Sequence, residues 1–370
     1  MKKDILHHVC HVTSVHPWCD GRIFFKECIS LSQCYQVSLI APNVDDVVKD
    51  GIMVFGVKLP QGRLGRMLHL NRVYQKMVEV DADVYHFHDP ELLSLGIKIK
   101  QKQGKHIIFD SHEDVPSQIL DKQWIPFVFR MSVSRLYSKL ESRWLPQYDA
   151  VVSVTPSIVE RLQIINPRTY MVTNYPKYEE QEEECSYLPQ VCFTGGISSL
   201  WGHEAVLSAI AHLDCTYVLA GWGEKKYLEG LKSYPSWGKV KYLGKVTPEK
   251  CKEIQRNSIA GMAICSPSHN TGGRRGTLGN TKIYEYMMAG IPVIATGFDL
   301  WKEVVEGNDC GICVNHSDID QIAKAIGYYL ENPQEAKRQG DNGRRAVREK
   351  YNWTTQEQVL IHIYELIFQE

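Results

Sequence analysis

The chain has 370 residues, 44% hydrophobic and 23% charged, the composition of a globular protein and long enough for two cores rather than one. Its 42 lysines and arginines nearly balance 43 acids, so no whole-molecule field points to nucleic acid, and any charged partner must be met by a local patch. No run of 18 apolar residues exists, which argues against a spanning helix.

The N-terminus, "MKKDILHHVCHVTSV", carries two lysines but no apolar stretch of signal-peptide length, and it runs directly into a strand pattern. Strand-like runs then alternate with helical ones: "ILHHVCHVTS", "YQVSLIAP", "IMVFGVK", "DVYHFHD", "KHIIFDSH", "DAVVSVTP" and "TYMVTNY". Helical patterns lie between them, among them "IFFKECISLSQ", "GRMLHLNRVYQKMVEV" and "FVFRMSVSRLYSKLESRWL". The acidic run from Tyr178 to Gln190 interrupts the alternation and reads as a linker, because its five glutamates cannot enter a core. A second series follows, "QVCFTGG", "TYVLAGWG", "VKYLGKV", "AGMAICSP", "IPVIATG" and "CGICVN". The remainder reads as helix, broken at Asn332-Pro333 and again from Gly340 to Gly343.

Alternation of this kind predicts two doubly wound α/β domains with parallel sheets, whose ligands bind at the carboxyl ends of the strands. The predicted division is residues 1–178, a linker at 179–188, a second domain at 189–350 and a final helix at 351–370. Eleven cysteines scattered through strand-like and helical runs read as reduced, buried thiols. The Cys310–Cys313 pair has half the spacing of a zinc site but no matching second pair, so it reads as strand. By these signs the protein is cytoplasmic.

The stretch "NTGGRRGTLGNTKIYEYMMAG", Asn270 to Gly290, places a glycine-rich basic loop before a short amphipathic helix. Asn280 or Thr281 is a suitable N-cap and Gly290 a suitable stop. Free backbone N–H groups, Arg274, Arg275 and Lys282 would make the helix start an anion site, best suited to phosphate. Glu285, one turn along, offers two acceptors that match the vicinal hydroxyls of a ribose. The loop fits a nucleoside diphosphate, and it also fits a plain surface connection. Walker-type and Rossmann glycine signatures are both missing.

"TKIYEYMMAGIPVIATGFDLWKEVV", "VLAGWGE", "VKYLGKVTPEKCKEIQRNSIAGMAICSP" and "YNWTTQEQVLIHIYELI" resemble the retaining sugar-nucleotide glycosyltransferases of family 4, of GT-B fold. "HVTSVHPWCDGRIFFKE", "DVYHFHDPELL" and "IIFDSHED" resemble the branch that builds bacterial surface polysaccharides. The resemblance implies two Rossmann-like domains across a cleft, an N-terminal one for the acceptor and a C-terminal one for the nucleotide sugar. It also implies a final helix crossing back to the N-terminal domain. Glu285 matches the acid assigned to the donor ribose, and Lys282 matches a lysine near the diphosphate. Asp20 and Gly21 match the loop that approaches the diphosphate and sugar. His112 matches a histidine facing the transferred sugar, so His112 and Glu285 are the expected catalytic residues.

The sequence departs from the family in two places. The partner acid of Glu285 would stand at Thr277, and Gly196 and Trp201 lie where an arginine and a lysine are common. Arg274 and Arg275 are candidates to replace that charge. With Asn280 and Thr281, these positions make up the expected donor site.

The implied reaction moves a sugar from a UDP- or GDP-type donor to a hydroxyl of a glycan or lipid-linked acceptor, with retention and without a metal or other cofactor. It belongs to polysaccharide, lipopolysaccharide or capsule assembly. Cations and a helix N-terminus would stabilise the leaving diphosphate, and no flanking carboxylate pair of the hydrolase kind is needed. His86 and His88, two apart on one strand, could join His112 around a metal. No fourth ligand is evident, so His86 and His88 read as packing residues and no metal site is expected.

Arg63, Arg66, Arg72 and Lys76, beside Leu64, Met67, Leu68 and Leu70, form a basic amphipathic pattern. Trp124, Phe127, Phe129 and Arg130 add a second one. Both suit an anionic membrane surface or a lipid-linked acceptor, and both also suit an ordinary solvated face. Two rival functions remain: a catalytically silent scaffold that partners an active transferase, and a sugar-nucleotide epimerase. The second would need acids placed for proton abstraction, and none stands at matching positions.

Overall fold

The computed structural model describes residues 6–60, 62–122, 124–180, 185–269 and 271–369, with the side chain of Arg63 left aside. The chain forms two compact units, residues 1–174 with 354–370, and residues 175–353.

In the first unit eight strands form one sheet: β1 (His8–Val12), β2 (Gln36–Pro42), β3 (Val47–Lys49), β4 (Ile52–Val57), β5 (Val84–Phe87), β6 (His106–Ser111), β7 (Ala150–Ser153) and β8 (Thr169–Met171). Their order is β3-β4-β2-β1-β5-β6-β7-β8. Every pairing is parallel except that of the short strand β3 with β4, a strand not anticipated from the sequence. The strands are apolar because helices cover a parallel sheet on both faces. Val9, Val12, Phe87, Ile107, Phe109 and Val151 are fully buried.

The order reverses direction at β1, whose neighbours are β2 on one side and β5 on the other. A crevice opens at such a switch point beyond the carboxyl ends of the strands. Residues 354–370 rejoin this unit through the helix Trp353–Phe368. Tyr364 is buried there with its hydroxyl 2.8 Å from His86 Nδ1, and Phe368 stacks on His7 at 3.9 Å.

The second unit holds β9 (Leu188–Thr194), β10 (Thr216–Ala220), β11 (Val240–Gly244), β12 (Ser258–Ala263), β13 (Val293–Thr296) and β14 (Gly311–Val314), all parallel in the order β11-β10-β9-β12-β13-β14. The expected linker is partly packed: Cys185 Sγ lies 3.1 Å from the Ala289 carbonyl, and the Tyr187 hydroxyl donates to the Gly290 carbonyl at 2.9 Å. Its residues 181–184 lie outside the described residues.

Two readings need correction. The helix Pro333–Glu349 runs unbroken through Gly340 to Gly343. A Cβ on Gly340 would stand 2.0 Å from the Gly290 carbonyl oxygen, and one on Gly343 would stand 3.2 Å from Met287 Cα. These glycines let the helix press on the end of helix Lys282–Ala289, so their role is close approach rather than a break. The cysteines are all free thiols, but Cys19 and Cys34 are exposed and only six are buried. The Cys310–Cys313 segment does enter β14, with Cys310 fully buried.

Candidate functional site

Helix Lys282–Ala289 ends as the sequence predicts, on Gly290 in the left-handed conformation. It buries Ile283, Tyr284, Tyr286, Met287 and Met288, which leaves Lys282 and Glu285 on the other face. At its start Asn280 Oδ1 accepts from the Lys282 backbone N–H at 3.1 Å, the work of a capping residue. The Thr281 hydroxyl instead donates to Glu285 Oε1 at 2.6 Å, which fixes the carboxylate one turn above the helix tip.

Lys282 reaches the end of β9. Its Nζ donates to the Thr194 carbonyl at 2.7 Å and sits over the rings of Phe193, at 4.5 Å, and Trp201, at 5.3 Å. That path exists because residue 195 is glycine: a Cβ there would lie 2.0 Å from the amine. Burial pulls the Lys282 amine below its ordinary value, against the pull of Glu285. Trp201 is thus an aromatic wall beside a half-buried lysine, while Gly196 stays exposed.

Thr277 is used locally, its hydroxyl accepting from the Gly279 N–H at 3.1 Å and its carbonyl from Trp301 Nε1 at 2.7 Å. Arg274 and Arg275 hold the next helix, their carbonyls accepting from the Asp299 and Leu300 N–H groups at 3.2 and 3.0 Å. Arg274 lines a cavity of about 440 Å³ with Thr296, Lys302, Asn315 and His316. The cations therefore spread along the carboxyl edge of the sheet, from Lys282 at β9 to Arg274 near β13 and β14.

In the first unit a polar cluster occupies the carboxyl ends of β1, β5 and β6. Asp20 Oδ1 accepts from the backbone N–H groups of Arg22, at 2.8 Å, and Ile23, at 3.0 Å, capping the π-helical turn Ile23–Cys28. Gly21 is exposed beside it. Burial would raise the Asp20 carboxyl, but His16 at 3.2 Å and those N–H groups hold it far below the carboxylate range. Arg22 is buried, with Nε donating to Asp110 Oδ2 at 2.9 Å and Nη1 to the Val172 carbonyl at 2.9 Å.

His112, half-buried, places Nε2 3.1 Å from Asp110 Oδ2 and 3.2 Å from His88 Nδ1. Asp89 Oδ2 accepts from the Thr13 hydroxyl at 2.8 Å and the Ser14 N–H at 2.7 Å. Asp20 and His112 are thereby linked through Arg22 and Asp110. Sequence reasoning named the two ends of this chain and missed Arg22, Asp110, Asp89 and His16. Each lies inside a stretch that carries the resemblance, but the hydrogen bonds of the Arg22 and Asp89 side chains described above join residues 75 to 150 positions apart.

Below this layer His11, Glu27, His86 and His88 meet without exposure. One donor atom of each lies within 4.8 Å of the others, an arrangement able to hold a metal ion. Burial pushes His88 down to about 4 and the Glu27 carboxyl well above its usual range.

Residues 7–172 match the family described as "Glycosyl transferase 4-like domain", and residues 175–346 match "Glycosyl transferases group 1". The chain is similar to the phosphatidyl-myo-inositol mannosyltransferase of Mycobacterium leprae (strain TN), 22% identical over 355 residues, covering 90% of this chain and 88% of that one. Similarity to the MMP alpha-(1->4)-mannosyltransferase of Mycolicibacterium hassiacum is higher, 33%, but spans 82 residues, 22% of this chain and 20% of that protein. Among solved structures, Anabaena Alr3699/HepE in complex with UDP and glucose superposes with a TM-score of 0.70 at 15% identity, covering 98% of this chain and all of that one.

Proposed function

From the chain's membership of the family 4 glycosyltransferases of GT-B fold, we propose that it moves a sugar from a nucleoside-diphosphate donor to a hydroxyl of a glycan or lipid-linked acceptor, with retention. The observation that carries the site is the start of helix Lys282–Ala289. A carboxylate fixed by Thr281, a half-buried amine and a helix N-terminus stand together at the strand ends, each suited to one part of a nucleotide sugar. In this reading Glu285 holds the ribose diol. Asn280, Thr281, Lys282 and the loop of Arg274, Arg275 and Thr277 face the diphosphate. Gly196, exposed at the end of β9, leaves room for it.

As the bond from the anomeric carbon to the phosphate oxygen breaks, the acceptor oxygen bonds to that carbon on the same face. The departing diphosphate takes the acceptor's proton. Negative charge grows on the diphosphate in that step, so a preorganised amine and the helix N-terminus lower its barrier. UDP is the first nucleotide to test, since a structural neighbour holds UDP. The relative named as a phosphatidyl-myo-inositol mannosyltransferase favours a lipid-bearing acceptor.

Isothermal titration calorimetry with UDP, GDP and their sugars tests the site. Glu285→Ala is expected to weaken nucleotide binding about 10- to 100-fold, the loss of a charge-assisted pair of hydrogen bonds. Unchanged affinity would remove Glu285 from the site. A wild-type chain that binds no nucleotide at all would favour the silent scaffold.

Contact with an anionic membrane, on its cytoplasmic face, fits the exposed apolar residues of the first unit. Among the described residues no helix is long and apolar enough to cross a membrane. Phe127, Val128 and Phe129 are 82, 74 and 59% exposed at the start of helix Phe127–Trp144, beside Arg130. Leu64 and Leu68 are 78 and 81% exposed on helix Arg63–Val80, but there Arg66 is paired with Glu91 at 3.0 Å, so that face is less free in its charge. Liposomes rich in phosphatidylglycerol should float with the protein, and Phe127→Ser with Phe129→Ser should abolish flotation. Equal recovery with neutral liposomes or with the double variant rejects the contact.

A further inference from the structure

We propose that His11, Glu27, His86 and His88 bind one divalent transition-metal ion of the zinc type inside the first unit. The four side chains have no solvent exposure and come from β1, from the π-helical turn Ile23–Cys28 and from the end of β5. His11 Nδ1 lies 2.9 Å from His88 Nε2, and Glu27 Oε2 lies 3.7 Å from the first and 3.8 Å from the second. A triangle with sides of 2.9, 3.7 and 3.8 Å has its centre about 2.0 Å from each corner, the length of a zinc bond to imidazole or carboxylate. His86 supplies the fourth donor, within 4.8 Å of the rest.

Hydrogen bonds alone leave this cluster poorly satisfied. Both Glu27 oxygens and His86 Nε2 are buried without a hydrogen-bond partner. The 3.7 and 3.8 Å separations are too long for Glu27 to hydrogen-bond to either imidazole, even when protonated. Arg22 Nε stands 2.8 Å from Glu27 Oε1, but its single N–H goes to Asp110 Oδ2. Each unpaired buried group of this sort costs about 1–3 kcal/mol.

A cation would engage the Glu27 carboxylate and the lone pairs of three neutral imidazoles together. The surrounding contacts also suit a metal centre. Tyr364 Oη holds His86 Nδ1 at 2.8 Å, leaving Nε2 free, and His112 Nε2 faces His88 Nδ1 at 3.2 Å, leaving Nε2 for the ion. Three imidazoles and a carboxylate without thiolate match zinc or its neighbours better than magnesium or calcium. Full burial leaves no access for substrate, so the ion would be structural. It would join the two central strands to the turn that carries Asp20 and, through Tyr364, to the C-terminal helix. The neighbouring trio His88, Asp110 and His112 is the weaker candidate, because Asp110 is already committed to Arg22.

The test uses the full chain carrying no histidine tag, purified through a chelator wash. After denaturation in guanidinium, mass spectrometry for metals should find about one zinc per chain. X-ray absorption at the zinc edge of the folded wild type should show only nitrogen and oxygen neighbours, with imidazole scattering. Glu27→Gln and His11→Asn should each lose most of that metal. The absorption spectrum needs no variant, so a variant that fails to fold does not decide the matter. Less than a tenth of an equivalent of any transition metal, both as isolated and after refolding with added zinc, would leave an imidazole network and overturn the proposal. So would sulfur neighbours, or full metal content in folded Glu27→Gln. The ion does not depend on the donor-site reading: a chain that binds metal but no nucleotide would sustain one and reject the other.

Discussion

Lys282→Ala is expected to lower kcat by about 10²- to 10³-fold, the cost of removing one preorganised donor from a developing anion, and to weaken donor binding much less. The amine is fixed before any donor arrives, by the Thr194 carbonyl at 2.7 Å and the rings of Phe193 and Trp201. One of its three protons is used on Thr194, so two remain for phosphate oxygens. Gly196 and Trp201 bring no charge to the end of β9, so in the proposed site more of the charge stabilisation would rest on Lys282.

Steady-state kinetics with the donor found by calorimetry would measure the effect. A fall in kcat of less than about threefold would mean that the amine does not face the leaving group. The pH profile gives a second reading. Burial pulls the amine below the 10.5 of a free lysine, and the amine is charged only below its own value. Activity should therefore fall on the alkaline side at a pH lower than an exposed lysine would give. That limb should be missing from the residual activity of Lys282→Ala.

The strands were legible because each is a short apolar run between turn signals, and a parallel sheet buried on both faces demands that pattern. β3 was not, since Val47–Lys49 is three residues of mixed polarity held only by its pairing with β4. Gly340 and Gly343 read as breakers because local propensity carries no information on a neighbouring helix. The structure shows Gly340 pressed on the Gly290 carbonyl. The helix-tip residues were readable for the opposite reason: Asn280, Thr281, Lys282 and Glu285 interact within five positions. The direction taken by Lys282 depends on Gly195, 87 residues earlier, and no local pattern encodes it. The cluster of the first unit was hidden in the same way. His11, Arg22, Glu27, Asp89 and Asp110 are ordinary polar residues until β1, β5 and β6 set their strand ends side by side.

Arg22→Met is expected to destabilise the protein by about 3–5 kcal/mol, the usual result of removing one partner from a buried ion pair. Arg22 is 4% exposed and stands between two acids that have no exposure, Asp110 at 2.9 Å and Glu27 at 2.8 Å. Burial penalises all three groups, yet the attraction of Arg22 and His112 holds Asp110 well below the ordinary carboxylate value. Without the guanidinium, Asp110 is left buried with only the imidazoles of His112 and His88 as partners, or must take up a proton. The Val172 carbonyl also loses its donor, which loosens the segment after β8.

Because the folded value of Asp110 is depressed, its contribution is present above the unfolded value of about 4 and is lost as pH falls through the folded one. Removing Arg22 should therefore shift the pH of maximum stability downward as well as lower the maximum. Urea unfolding between pH 5 and 8 would measure both. A loss below about 1 kcal/mol with an unshifted optimum is the range of an exposed ion pair, and it would show that the two acids do not depend on this arginine.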